Sequence, residues 1–119
     1  MENEITKESN YISFDEFSKI DLRIGKIVKA EPIPKLNKVY KTEVDLGFEK
    51  RTVIVGAAPY YKPEELVGLL IVVCSNLSPK KIANVESKGM ILAADGQNGK
   101  PSFLTLNKED IVELGSKIH

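Results

Sequence analysis

Cys74 and His119 are the only thiol and the only imidazole in the chain. A Ser-His-Asp or Cys-His nucleophile would therefore have to recruit the terminal residue, and a zinc site would fall short of the three or four ligands it needs. Cys74 stands in the run Leu69-Leu-Ile-Val-Val-Cys74, where a small buried thiol is expected rather than a reactive one. No glycine loop of the G-x-x-x-x-G-K-[ST] or G-x-G-x-x-G type is present to cradle a phosphate. Glu64 and Glu65 follow Pro63 and read as the charged first turn of a short helix rather than an acid/base pair. Catalysis, a metal and a cofactor are all unexpected.

Lysine is the residue type that remains. The chain has 17 Lys plus Arg against 17 Asp plus Glu over 119 residues, a net charge of zero. That zero is a sum of opposed segments. Residues 1–16 carry five acids and one base, a net −4, whereas residues 26–51 carry seven bases and four acids, a net +3. Residues 76–90 add a net +2. If folding brings the second strand near the loop before the last one, Lys38, Lys41, Lys80, Lys81 and Lys88 line one positive face. Such a face attracts phosphates by releasing their counterions, with no need for a basic protein. The alternative is that these lysines are the solvated side of amphipathic strands.

The elements that must position them follow from periodicity. Residues 1–12 are polar, acidic and without a period, as expected of a flexible arm, and residues 13–119 read as one domain. Ser13 precedes Glu16 by the capping-box spacing, with Phe14, Phe17 and Ile20 on one helix face. Residues 22–33 are β-branched and apolar with interleaved lysines, and Gly25 inside them would tolerate a bend or bulge. A loop is expected at Pro32-Ile-Pro34. Tyr40, Thr42, Val44 and Leu46 then alternate with Lys41, Glu43 and Asp45, the pattern of a half-buried strand. Further strands are expected at residues 51–55, 69–74, 89–94 and 102–106, with turns at 47–50 and 96–99. Five or more short strands with one capped helix predict an all-β fold, a small closed or nearly closed barrel. A five-stranded OB-fold, an SH3-like barrel and a small sandwich all satisfy the pattern. No apolar run approaches the roughly 20 residues of a membrane span, and the acidic start is unlike a signal peptide, so a cytoplasmic protein without membrane contact is expected.

Five blocks carry a resemblance: Phe17-Ser-Lys-Ile-Asp-Leu-Arg-Ile-Gly-Lys-Ile-Val28, Val44-Asp-Leu-Gly47, Gly56-Ala-Ala-Pro-Tyr-Tyr-Lys-Pro-Glu-Glu-Leu-Val-Gly68, Ser75-Asn-Leu-Ser-Pro-Lys-Lys81 and Val85-Glu-Ser-Lys-Gly-Met-Ile-Leu-Ala-Ala94. In order and content they closely resemble the tRNA-binding OB domain. That domain occurs as a stand-alone tRNA-binding protein, as a C-terminal part or beta subunit of methionyl-tRNA synthetase, and in the endothelial monocyte-activating polypeptide group. The resemblance covers residues 13 to about 118. It implies a five-stranded OB barrel with a short N-terminal helix and a small C-terminal extension, commonly a homodimer joined by elements outside the barrel. It also implies a non-catalytic tRNA-binding factor, akin to a methionyl-tRNA synthetase beta subunit and with that synthetase as a possible partner.

The family pattern before the last strand is matched by Glu86, Ser87, Lys88, Gly89 and Met90, which the resemblance implies contact RNA. A serine hydroxyl, a close backbone approach and a polarizable side chain suit an unstacked base. Asn76 is placed to hydrogen-bond a base or to cap its turn, and Lys80 and Lys81 match a basic pair suited to phosphates. The expectation for Ser87 is that it can be truncated without loss of stability. Between the first two strands many relatives carry a His-Pro pair that is absent here, and only Lys38, Val39 and Tyr40 carry over. By strand parity Tyr40 belongs to the core and Lys41 faces outward. No synthetase catalytic domain precedes the segment, so a free-standing protein is expected, and the 86–90 motif sets it apart from the secretion-chaperone branch. The competing function is a protein-interaction or chaperone-like OB module that docks a synthetase or an unfolded chain without RNA.

Overall fold

Alternation of apolar and polar side chains decides where the sheet of this protein runs. The computed structural model describes residues 10–119; of the arm expected over residues 1–12, residues 1–9 lie outside the described residues. In chain order the elements are helix α1 (Phe14–Ser18), strands β1 (Leu22–Ile33), β2 (Leu36–Asp45) and β3 (Lys50–Val55), helix α2 (Pro63–Leu66), then strands β4 (Leu70–Cys74), β5 (Lys80–Ile82), β6 (Val85–Ser87), β7 (Met90–Ile91), β8 (Ala93–Asp95), β9 (Pro101–Phe103) and β10 (Lys117–Ile118). The structure is mostly β and antiparallel, and no described helix is long and apolar enough to cross a membrane.

β1 is the spine. Its first residues pair with β4, Leu22 opposite Cys74 and Lys26 opposite Leu70, while its second half pairs with β2. β2 pairs with β3, and β4 with β7, giving the order β3-β2-β1-β4-β7. The parity expected for β2 holds: Tyr40, Thr42, Val44 and Leu46 are buried. Ile27, Val53, Ile71 and Val73 complete a fully buried centre. Tyr40 also donates its hydroxyl to the Tyr61 carbonyl at 2.6 Å, and the Thr42 hydroxyl donates to the Val53 carbonyl at 2.6 Å, so neither buried polar atom is left unmatched.

Several expectations are corrected. β1 continues through Pro32 and Ile33, and the turn is Pro34-Lys35, with Lys35 at φ 72°. Proline is tolerated there because the ladder is already irregular between Pro32 and Ile33. The bulge falls between Ile27 and Lys29 rather than at Gly25, where the register with β4 is regular. A side chain at Gly25 would come within 2.7 Å of Val44 Cγ1, so close packing explains the glycine. Between the strands expected at 69–74 and 89–94, where no strand is expected, lies the β5–β6 hairpin, whose turn residues Ala83 and Asn84 have φ 49° and 67°, the two-residue turn that suits the twist of paired strands. The strand expected at 89–94 is split into β7 and β8, and β9 ends at Phe103.

The five-stranded barrel, expected to be closed or nearly closed, is not joined by a continuous ladder: β3 and β7 are the two ends of the strand order. β7 has two residues and pairs only with β4. Two hydrogen bonds cross between the segment before β7 and β3 instead. The Lys88 N–H donates to the Thr52 carbonyl at 2.9 Å, and the Ile54 N–H donates to Ser87 Oγ at 2.9 Å.

Outside this sheet, α1 carries the predicted capping box, Glu16 N–H on Ser13 Oγ at 3.1 Å and Ser13 N–H on the Glu16 carboxylate at 3.0 Å. Its apolar face is uncovered, with Phe14 79% exposed, because α1 lies outside the layer the strands enclose. The C-terminal extension returns to β1, Ile118 opposite Leu22. Arg23 fixes that junction: Nη1 donates to the Gly115 carbonyl at 3.0 Å and Nε to the Asp21 carboxylate at 2.8 Å. The Arg23 hydrogen bond, with help from Ser75 and Lys117, holds the Asp21 carboxyl below its ordinary range against a smaller opposing effect of desolvation. A depressed folded-state pKa means the unfolded chain takes up the proton first. The contribution is therefore complete above the ordinary aspartate value of about 4 and is lost as pH falls through the lower folded value. Melting curves from pH 6 to 2.5 should show the wild type losing Tm more steeply than Asp21→Asn below about pH 4; parallel curves would remove the role given to the Arg23 pair.

Candidate nucleic-acid interface

β3 leaves the tight turn after Leu46 with two cations at its start, Lys50 and Arg51. The β5–β6 hairpin stands against the same strand, fastened by the two hydrogen bonds from Ser87 and Lys88. Between them lies a cleft of about 370 Å³ whose cations are Lys41, Lys50, Arg51 and Lys88. A second hollow of about 400 Å³ shares Lys50, Arg51 and Lys88 and continues past Ser75, Leu77 and Pro79. Together they make one basic trough along β3.

The cations differ in freedom. Lys41 and Lys88 each have a carboxylate 3.9 Å away, Glu31 and Glu86 respectively. All four side chains are well exposed, so these pairs are worth about 1 kcal/mol or less and are readily exchanged for a phosphate. Lys50 has no ion pair among the described residues. Arg51 is tied in place by Glu49 and by donation to the Ser75 carbonyl, so it adds charge to the trough from a fixed position.

The residues expected from the sequence fall into three groups. Lys41 and Lys88 line the trough. Lys81 lies opposite Glu86 in the hairpin, on the face of a cleft-lining residue, and Lys80 lies opposite Ser87 on the other face, both exposed. Met90 is 49% exposed beside the hairpin's root. Lys38 does not line the trough: it is exposed near the hairpin end of β2, and its carbonyl accepts from the Ala58 N–H.

Ser87, Gly89 and Asn76 serve the framework. Ser87 is 7% exposed, accepts from Ile54 N–H and lies 3.5 Å from the Gly89 carbonyl. Gly89 has φ 134°, and a side chain on it would meet the Cys74 carbonyl at 3.0 Å and Val73 Cγ1 at 3.2 Å. Asn76 accepts from the Asp21 N–H at 2.9 Å and donates to the Lys19 carbonyl at 2.5 Å, clamping the end of α1 to the end of β4. Sequence reasoning missed Lys50 and Arg51 individually, although both lie in the segment of net +3. Among the described residues no group of three or more His, Cys, Asp and Glu is placed to hold a metal.

The family model described as "Putative tRNA binding domain" matches residues 22–117. The chain belongs to this tRNA-binding family. It is 51% identical over 112 residues to a methionine–tRNA ligase of Pyrococcus furiosus, an alignment covering 94% of this chain and 15% of that protein. The chain thus spans about one seventh of the curated relatives it matches. Among solved structures it superposes on a methionyl-tRNA synthetase related protein from Pyrococcus horikoshii with a TM-score of 0.84 and 36% identity, covering 92% of this chain and 99% of that one. The chaperone CsaA of Bacillus anthracis follows with a TM-score of 0.80 and 30% identity over 92% and 99% of the two chains. The backbone therefore resembles the synthetase-related and the chaperone structures almost equally.

The serine of that motif gives the check on this assignment. Ser87→Ala deprives Ile54 N–H of its acceptor and should cost about 1–3 kcal/mol in urea unfolding. Unchanged stability would mean that the hydroxyl is not part of the frame.

Proposed function

We propose that the chain is a non-catalytic tRNA-binding module that recognises the shape and backbone of tRNA through the trough along β3. The convergence of Lys41, Lys50, Arg51 and Lys88 on one cleft is the observation that carries this reading, in a chain belonging to a tRNA-binding family. Lysine and arginine at the rim neutralise phosphates, the part of nucleic-acid binding that sets position and most of the affinity. Lys80, Lys81 and Met90 extend the contact along the hairpin, while Ser87, Gly89 and Asn76 hold the surface in shape. The fold is read as an OB barrel of β1, β2, β3, β4 and β7, with the Ser87 and Lys88 bonds to β3 standing in for the last ladder.

The assembly is read as a homodimer. Phe14, Phe17, Ile20 and Ile118 line an apolar recess of about 250 Å³ on one side, a surface that a second copy would cover. The auxiliary role beside methionyl-tRNA synthetase draws on the methionine–tRNA ligase relatives. A chaperone-like protein-docking module is the second reading, favoured by the same apolar face and by the CsaA likeness. A partner captured by the chain that persists after ribonuclease treatment would support the second reading over the first.

Gel shifts of tRNA across a salt series separate them directly. The dissociation constant should rise with a log-log slope of about 0.7 to 0.9 per phosphate neutralised. Lys50→Ala combined with Lys88→Ala should reduce that slope by about 1.4 to 1.8, the share of two lost contacts. An affinity indifferent to salt would sink the proposal.

A further inference from the structure

The cleft between β3 and the hairpin contains more than a phosphate site requires. A phosphate asks for cations and N–H or O–H donors, yet the wall formed by the hairpin contributes the carboxylate of Glu86 and the amide of Asn84, and β3 contributes the hydroxyl of Thr52. Neither Asn84 nor Thr52 makes a side-chain hydrogen bond among the described residues. Glu86 has only the 3.9 Å approach of Lys88, between side chains each 55% exposed, and such a pair stabilises little. A carboxylate in a phosphate cleft is repulsive unless something with hydrogen-bond donors meets it. The volume, about 370 Å³, lies in the range of about 300–1,000 Å³ typical of clefts that hold small organic ligands.

Unpaired RNA bases offer their Watson–Crick edges to side chains. Uracil and adenine each present one kind of donor there, N3–H or the N6 amino group, and cytosine presents its N4 amino group beside an acceptor. Guanine alone places two donors side by side, N1–H and the 2-amino group, which match the two oxygens of one carboxylate. We propose that this cleft holds an unpaired guanosine of the bound RNA, its N1–H and 2-amino group donating to Glu86 and its flanking phosphates held by Lys50 and Lys88. The Asn84 amide, which lines the same cleft, would donate to O6. This specificity rests on the tRNA reading given above.

The competing explanation is that Glu86 only offsets Lys81, directly opposite it in the hairpin, and Lys88. The two explanations predict opposite consequences for Glu86→Gln. Fluorescence anisotropy of the full chain with labelled oligouridine strands carrying one central guanosine, inosine or adenosine distinguishes them, since inosine lacks only the 2-amino group. The guanosine strand should bind at least about fivefold tighter than the inosine strand, the low end for a bidentate base contact. Glu86→Gln should bring that ratio to about one, with Tm unchanged because the side chain is exposed. A wild-type ratio of one, or a variant that tightens all three strands alike with the ratio preserved, overturns the guanosine assignment. If tRNA still binds with a steep salt dependence, the tRNA reading stands without it. If neither tRNA nor any strand binds, both fall together.

Discussion

The free edge of β3 is the constraint on which the interface depends. A strand edge left unpaired exposes amide and carbonyl groups that must be satisfied or covered. Here Thr52 and Ile54 are served by one backbone donor and one side-chain acceptor from residues 87 and 88. Because those residues are also the root of the β5–β6 hairpin, the same two bonds set the distance between the hairpin's cations and those of β3. The glycine that follows is forced by the same crowding, with the Cys74 carbonyl and Val73 against its bare face. The 86–90 motif is therefore divided: alternate positions hold the frame, while Glu86, Lys88 and Met90 face outward.

A second knot sits at the end of β4. Ser75 donates from both its N–H and its hydroxyl to the Asp21 carbonyl, at 2.8 and 3.0 Å, while its own carbonyl receives Arg51. Asn76 clamps the chain between α1 and β1. One short segment thus orients a cation of the trough and the apolar helix together. The apolar face of α1 and the basic trough are held in a fixed relation by hydrogen bonds to backbone groups, which tolerate changes of side chain around them.

The zero net charge acquires a physical meaning in this arrangement. Cations are gathered along β3, and Lys41 and Lys88 keep acidic neighbours at 3.9 Å. Their field is local: beyond about 10 Å at ordinary salt it is screened. The charge of the trough therefore acts at short range and does not show in the total.

The sequence by itself determined the strands whose faces are chemically unlike. Parity separated Tyr40, Thr42, Val44 and Leu46 from Lys41, Glu43 and Asp45, because burial of alternate side chains is a local property of an extended chain. The capping box of α1 and the buried Cys74 were legible for similar reasons. What parity left open is which strand edges meet and how. The turn at Ala83 and Asn84 lacks the glycine that advertises such hairpins, and Pro32 concealed the continuation of β1. Lys50 and Arg51 gain their place only from the hairpin that folds against them some 35 residues later in the chain. Likewise Ser87 reads in sequence as an available hydroxyl, and only the approach of Ile54 N–H commits it to the frame. Contacts between segments distant in sequence depend on the path of the whole chain, so the tertiary structure alone decided which of the motif's residues are committed to the frame and which face outward.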